Sequence, residues 1–169
     1  NNGTFYYNGT ANLGANGSLI NGANSAVLLD TSSNITGTGS NIVGAVLNGQ
    51  YTGTAPAGFT SAVDGENRGS IVLGDNSAGL YGTNGAKLLN KGTINVGNAS
   101  IGMSGKGTGS SLTNDGNITL GAGSEGIYGN ESTSIINAGN ITGISASGTG
   151  LYAESTSAMS INNSGIIDM

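Results

Sequence analysis

Few side chains in this chain could do chemistry, and their spacing narrows what that chemistry is. The 169 residues carry nine acids and four bases (Arg68, Lys87, Lys91 and Lys106), with no His and no Cys. Without His a Ser–His–acid triad cannot form. Without His or Cys, zinc, haem and iron–sulfur centres lose their usual ligands. Asp64, Glu66 and Asp75 lie close in sequence and offer the oxygens a calcium ion takes. Neither an EF-hand loop nor a Gly-Gly-x-Gly-x-Asp repeat accompanies them, so solvated surface charge is the expectation. Asp115, Glu125, Glu131 and Glu154 are scattered rather than paired for glycoside hydrolysis. The run from Gly105 to Ser110 lacks the residue order of a phosphate-binding loop. These residues predict no enzyme, no metal and no cofactor.

Recognition chemistry has better candidates. Tyr81, Tyr128 and Tyr152 each follow a Gly-apolar step (Gly79-Leu80, Gly126-Ile127, Gly150-Leu151), and Ser104 takes that place after Gly102-Met103. Rings at one repeated outward position could stack on sugars or seat a partner protein. Strand propensity alone also accounts for them. Tyr51 and Phe59 lie with the single proline, Pro56, in residues 48–66, a stretch too long for a tight turn. Such a loop can carry function or be an insertion that a repeat array tolerates.

The element that must position these residues is a repeat. Asn-x-Gly-x-Ile begins at Asn67, Asn90, Asn114 and Asn137, and its last form, at Asn163, reads Asn-Ser-Gly-Ile-Ile; the asparagines are 23, 24, 23 and 26 residues apart. A Gly-, Ser- and Asn-rich chain without a period would read as disordered, but a period in this range marks a solenoid. Leu73, Val96 and Leu120 follow each Ile by two, with Gly143 breaking the series. Leu80, Met103, Ile127 and Leu151 recur as a second apolar position, and Leu88, Leu112, Ile135 and Ile161 as a third. Three apolar clusters per repeat predict three short strands per coil of about 23 residues, hence an all-β, right-handed parallel β-helix of triangular section. Stacked Asn67, Asn90, Asn114, Asn137 and Asn163 are expected to form an amide ladder on a left-handed turn backbone. Gly69, Gly92, Gly116, Gly139 and Gly165 are expected to supply a positive φ.

Residues 66–169 therefore read as regular coils. Residues 1–65 read as irregular coils of the same continuous solenoid, with the loop at 48–66. Ser25-Ala26-Val27-Leu28-Leu29-Asp30 lines up with Ser77-Ala78-Gly79-Leu80-Tyr81-Gly82, and Gly44-Ala45-Val46-Leu47 reads as the next coil. About seven coils at ~4.8 Å spacing give a rod of about 35 Å. The chain stops inside a repeat, which is the expectation for a piece of a longer array.

The wording of Gly79-Leu80-Tyr81-Gly82, of Leu88-Leu89-Asn90-Lys91-Gly92-Thr93-Ile94, of Ser124-Glu125-Gly126-Ile127-Tyr128-Gly129 and of Ile136-Asn137-Ala138-Gly139-Asn140-Ile141 resembles the passenger domains of large type V autotransporter adhesins, fusobacterial ones above all. The resemblance covers residues 64–169 well and the earlier part loosely. It implies a β-helical stalk on the bacterial surface, outside the outer membrane, attached to a C-terminal β-barrel translocator that is not in this sequence. It also implies a host-cell or bacterial receptor, protein or glycan, as partner. A carbohydrate-active β-helix enzyme and a toxin-type passenger are the alternatives. With a net charge of −5 and no basic stripe, binding to nucleic acid or to an anionic membrane is not expected.

Overall fold

The computed structural model describes residues 3–131, 133–145 and 147–169, and among them every regular element is a β-strand. Each coil contributes one strand to each of three parallel sheets. The first coil holds β1 (Thr4–Tyr7), β2 (Thr10–Asn12) and β3 (Ser18–Ala23), and the second β4 (Ala26–Leu29), β5 (Asn34–Gly37) and β6 (Val43–Asn48). Then come β7 (Gly65–Asn67), β8 (Ser70–Leu73) and β9 (Ala78–Thr83), followed by β10 (Lys87–Asn90), β11 (Thr93–Val96) and β12 (Ile101–Lys106). β13 (Ser111–Asn114), β14 (Asn117–Leu120) and β15 (Glu125–Asn130) precede β16 (Ser134–Asn137), β17 (Asn140–Gly143) and β18 (Thr149–Glu154), and β19 (Ser160–Asn163) and β20 (Ile166–Asp168) close the series. The first sheet runs β1-β4-β7-β10-β13-β16-β19, the second β2-β5-β8-β11-β14-β17-β20, and the third β3-β6-β9-β12-β15-β18. The result is a parallel β-helix of about seven turns of about 24 residues.

Identical inward positions stack. Ile35, Ile71, Ile94, Ile118, Ile141 and Ile167 pair in register along the second sheet, and those from Ile35 to Ile141 are fully buried. Leu88, Leu112 and Ile135 do the same on the first sheet, and Leu80, Met103 and Ile127 on the third. Each such side chain contributes about 1.5–3 kcal/mol when removed from water, and only adjacent coils can cover it. The interior is too narrow for three bulky walls. Gly79, Gly102, Gly126 and Gly150 on the third sheet face the Ile column so closely that a Cβ would lie 2.5–2.7 Å from Cγ2 of Ile94, Ile118, Ile141 and Ile167. Much of the glycine content is thus a packing requirement of the isoleucines opposite.

The amide ladder is present. Nδ2 of Asn67 donates to Oδ1 of Asn90, Asn90 to Asn114, and Asn114 to Asn137, each at 2.8 Å, and Asn137 donates to Asn163 at 2.7 Å. The second proton of each Nδ2 points at the carbonyl of the glycine two residues on, at 3.3–3.5 Å. Asn67, Asn90, Asn114 and Asn137 are wholly inaccessible, so these bonds satisfy amides that would otherwise be costly to bury.

The turn chemistry differs from expectation. None of the five ladder asparagines, and none of Gly69, Gly92, Gly116, Gly139 and Gly165, has a positive φ. Each asparagine ends a strand of the first sheet. The glycine is required because the coils touch there: a Cβ on Gly92, Gly116, Gly139 or Gly165 would fall on the carbonyl oxygen of the equivalent glycine one coil earlier. The left-handed asparagines are elsewhere. Asn16, Asn41 and Asn76 (φ 61°, 60° and 52°) mark the corner between the second and third sheets, where Ala99 and Gly123 continue the column. Beside them runs a second ladder that the repeat phrase does not announce. Oγ of Ser77 accepts from the amide of Ile42, Ser100 from Ser77, and Ser124 from Ser100, at 3.0–3.1 Å. Its signal is Gly-x-x-Ser at Gly74–Ser77, Gly97–Ser100 and Gly121–Ser124.

The N-terminal alignment is also corrected. Ala26–Leu29 belongs to the first sheet, with Leu29 opposite Asn67, and is not the equivalent of Ala78–Tyr81. That role belongs to β6, where Ala45 pairs with Leu80 and Val46 with Tyr81. Ala26–Leu29 and Val43–Asn48 are therefore two walls of one coil rather than two coils.

Candidate functional site

Two outer surfaces gather the recognition candidates. On the third sheet, Val46, Tyr81, Ser104, Tyr128 and Tyr152 form one column in register. Alternation along the strand turns these residues outward while Leu80, Met103, Ile127 and Leu151 turn inward. Tyr81 and Tyr128 are half-buried, Tyr152 is exposed, and Ser104 is covered. The rings of Tyr128 and Tyr152 stack with centroids 5.5 Å apart and planes 12° from parallel. Stacked along the rod, they turn faces to one another and edges and hydroxyls to solvent. Asn130 Nδ2 donates to Tyr128 Oη at 2.8 Å, and Tyr128 Oη donates to Glu154 Oε2 at 3.1 Å. Partial burial, helped by the charge of Glu154, pushes the Glu125 carboxyl up from its ordinary value. The Tyr128 hydroxyl is also raised: the Asn130 bond, its largest single influence, acts downward, but burial and the charges of Glu154 and Glu125 outweigh it.

Tyr51 and Phe59 are not on this face. They belong to residues 49–64, which leave the wall between β6 and β7 at the corner joining the third sheet to the first. The first sheet's outward column there reads Leu28, Glu66, Leu89. Both leucines are buried although they point away from the core, at 1% and 5% exposure. The cover is the excursion itself, because the amide of Thr60 donates to Glu66 Oε2 at 3.1 Å, directly over the residue between them. Phe59 is half-buried in a turn closed by its amide on the Pro56 carbonyl, and Tyr51 Oη donates to Thr54 O at 3.3 Å.

The acids near this excursion are not solvated, which overturns that expectation for Asp64 and Glu66. Asp64 Oδ1 accepts from the Tyr51 amide and Oδ2 from the Lys87 amide, both at 2.7 Å. Glu66, 2% exposed, takes a two-pronged Arg68 at 2.8 and 2.9 Å and the Lys91 ammonium at 3.2 Å. Arg68 and Lys91 also hold the excursion directly, through Gly58 O at 2.7 Å and Thr60 Oγ1 at 3.3 Å. Asp75 lies at another corner and accepts from the Asn98 amide at 2.7 Å. Among the described residues no three acids converge as a metal site would require.

Burial is the largest influence on Glu66 and opposes its ionisation, but the bonds from Arg68, Thr60 and Lys91 outweigh it and hold the carboxyl below its usual range. A carboxyl depressed on folding stabilises the structure fully above its unfolded pKa of about 4.3 and loses that contribution as pH falls through the lower folded value. Hydrogen exchange of residues 49–64, corrected for its intrinsic pH dependence, should therefore accelerate below about pH 4. Glu66→Gln should show the loosened excursion at every pH, weakened by roughly 2 kcal/mol, because Arg68 and Lys91 are partly exposed and gain water when released. Exchange that is flat with pH and unchanged in Glu66→Gln would refute the clamp.

Residues 1–127 match the family model described as the BigA third pectate lyase-like domain. No curated protein matches the chain, and no solved structure does.

Proposed function

The chain belongs to the BigA third pectate lyase-like domain family, and from that membership we propose that it is a structural and adhesive β-helical segment of a bacterial surface protein. In this reading it is a passenger segment of the autotransporter type, outside the outer membrane, with its β-barrel translocator elsewhere in the same protein. It attaches to host cells or to other bacteria. The observation that carries the reading is the in-register stripe of Tyr81, Tyr128 and Tyr152 on one wall of the rod. Tyrosine supplies large contact area at small entropic cost and is enriched at interface hot spots. Ring edges and hydroxyls facing outward suit a protein receptor better than the flat face of a sugar, which needs an open ring face.

Non-enzymatic action is part of the proposal. Asp64 and Glu66 are two residues apart, but their oxygens are occupied by backbone amides and cations, which leaves little acid or base capacity for a substrate. The charge of −5 supports an absence of nucleic-acid and membrane contacts. Beads carrying the segment should bind a panel of host cells or bacteria, and Tyr128→Ser with Tyr152→Ser should cut that binding about 30-fold, the loss of about 2 kcal/mol typical of an aromatic hot spot. The two rings stack on the outer wall and Tyr128 is half-buried, so the double variant should also lose about 1 kcal/mol of stability, and binding is compared well below its melting temperature. Full binding by the double variant would remove the tyrosine face as the adhesive surface, and no binding by the unaltered segment would make it a spacer.

A further inference from the structure

The outer wall of the second sheet differs from the other two. Its two outward ranks, from Thr10 to Asn140 and from Asn12 to Thr142, run in register through six coils, and every member except Val72 is Asn, Thr or Ser. None of the chain's nine acids and four bases stands in these ranks, and no aromatic residue does; Asp168 takes the place in the following coil. The third wall carries Lys106, Glu125, Tyr128 and Glu154 instead, and the first is covered by the excursion over Glu66 and Leu89. The charge-free wall also leaves apolar surface bare. A shallow groove of about 210 Å³ runs along its edge toward the third sheet, lined by Leu73, Val96 and Leu120 among others. Val72 and Ile144, 40% and 72% exposed, line it too and stand three coils apart.

The occupant this wall suits is a second copy of the chain. Copies of net charge −5 repel one another, and of the three walls this one lets them meet with the least contact between like charges. Asn, Thr and Ser side chains each donate and accept, so identical ranks can pair, as Asn140 Nδ2 already does with Asn117 Oδ1 at 3.0 Å within the wall. A sugar would find no aromatic platform here. Charge also selects the register. A two-fold axis along the strands makes a self-complementary contact between antiparallel rods. Centred on the coil of Lys91 or on that of Asp115, it would set that residue's corner against its own copy. Centred between β11 and β14, it sets the Lys91 corner opposite the Asp115 corner of the other copy. The same centre lays Val72 over Thr142 of the other copy, beside Ile144, and so covers both bare apolar groups. Six coils at ~4.8 Å by four residues at ~3.3 Å give roughly 800 Å² over the two copies, at the low end for a specific contact, so the dimer is transient.

We propose that the outer wall of the second sheet is a weak, antiparallel two-fold interface between copies of this chain, centred between β11 and β14. It lies on a different wall from the tyrosine stripe and does not depend on it. Sedimentation equilibrium of the whole chain should show monomer and dimer with a dissociation constant of about 0.1–1 mM. Asn95 is exposed and lies beside the axis. Asn95→Asp and Asn95→Lys should each weaken the dimer at least tenfold, and an equimolar mixture of the two should restore it. Treatment with a short bismaleimide reads the register: a mixture of Val72→Cys and Thr142→Cys should crosslink at least fivefold more than either variant alone. The axis sets these two positions face to face, and leaves each ~14 Å, three coils, from its own copy. A chain that stays monomeric up to about 3 mM would overturn the proposal. So would association indifferent to Asn95→Asp, which stacking of coil ends or contact through the tyrosine stripe would give. Crosslinking of Val72→Cys alone as efficient as that of the mixture would mean parallel rods and would overturn it equally.

Discussion

Ile118→Asp will abolish the cooperative fold of the central coils. Ile118 is 1% exposed and sits between Ile94 and Ile141 in the second-sheet column. Across the interior its Cγ2 faces Gly102, where even a Cβ would be 2.6 Å away. The substitution removes about 1.5–3 kcal/mol of apolar burial and leaves an unpaired carboxyl where no donor can reach it, at several kcal/mol more. The sum, at least about 5 kcal/mol, is comparable to the whole stability of an ordinary domain. Because coils contact only their neighbours, the loss interrupts the stack at one place, and the earlier and later coils each gain an uncovered edge. The introduced carboxyl would have its pKa raised by burial. The damage is therefore smallest below pH 4 and grows as pH rises through the ordinary carboxyl range. Far-UV circular dichroism against temperature, at pH 4 and pH 7, reads both effects, with Ile118→Val as a control expected to cost about 1 kcal/mol. A melt within 1 kcal/mol of the parent at pH 7 would mean that position 118 faces solvent.

The parts of this fold legible in the sequence are those in which one residue type solves one local problem in every coil. The Asn, Ile and Leu columns are of this kind, because a buried amide ladder and a narrow interior each accept few substitutes. The second coil escaped because Leu29 stands where Asn67 stands in the next. The corner after it is two residues longer, from Leu29 to Ile35 against Asn67 to Ile71, so the repeat phrase disappears although the register continues. Ser25–Asp30 then resembled Ser77–Gly82 through small and apolar residues that suit either sheet. The buried state of Asp64 and Glu66 was illegible for a different reason. It depends on the path of residues 49–64 back over the first sheet, and an insertion occurring once has no period to reveal its course. The single-file alignment of the tyrosines could be read from their spacing, whereas the stacking that turns the ring edges of Tyr128 and Tyr152 outward could not, since spacing says nothing of side-chain rotation.

The reason glycine follows asparagine is where sequence chemistry and geometry part most sharply, and a pair of substitutions separates them. If Gly92 served a left-handed turn, alanine there would cost about 1 kcal/mol, the usual penalty for a side chain at positive φ. Its φ is not positive. A Cβ would meet the Gly69 carbonyl oxygen and would lie 2.7 and 2.8 Å from the carbonyl carbon and oxygen of Arg68. Those atoms are backbone, and the Gly69 carbonyl is already held by the Thr93 amide at 2.9 Å, so they cannot yield as the end of a side chain would. Gly92→Ala should therefore cost about 3 kcal/mol or more, the upper end for overpacking, and should strain the Asn67–Asn90–Asn114 ladder beside it. Gly123 is the opposite case: its φ is 65°, and nothing lies within 4 Å of the position a Cβ would take. Asn16, Asn41, Asn76 and Ala99 occupy the same corner with φ between 49° and 61°. Gly123→Asn should accordingly be neutral within about 0.5 kcal/mol or slightly stabilising, since it restricts the unfolded chain at a position whose backbone it can adopt. Chemical denaturation of the two variants should rank them several kcal/mol apart. Equal costs near 1 kcal/mol would restore the left-handed turn as the reason for the glycine.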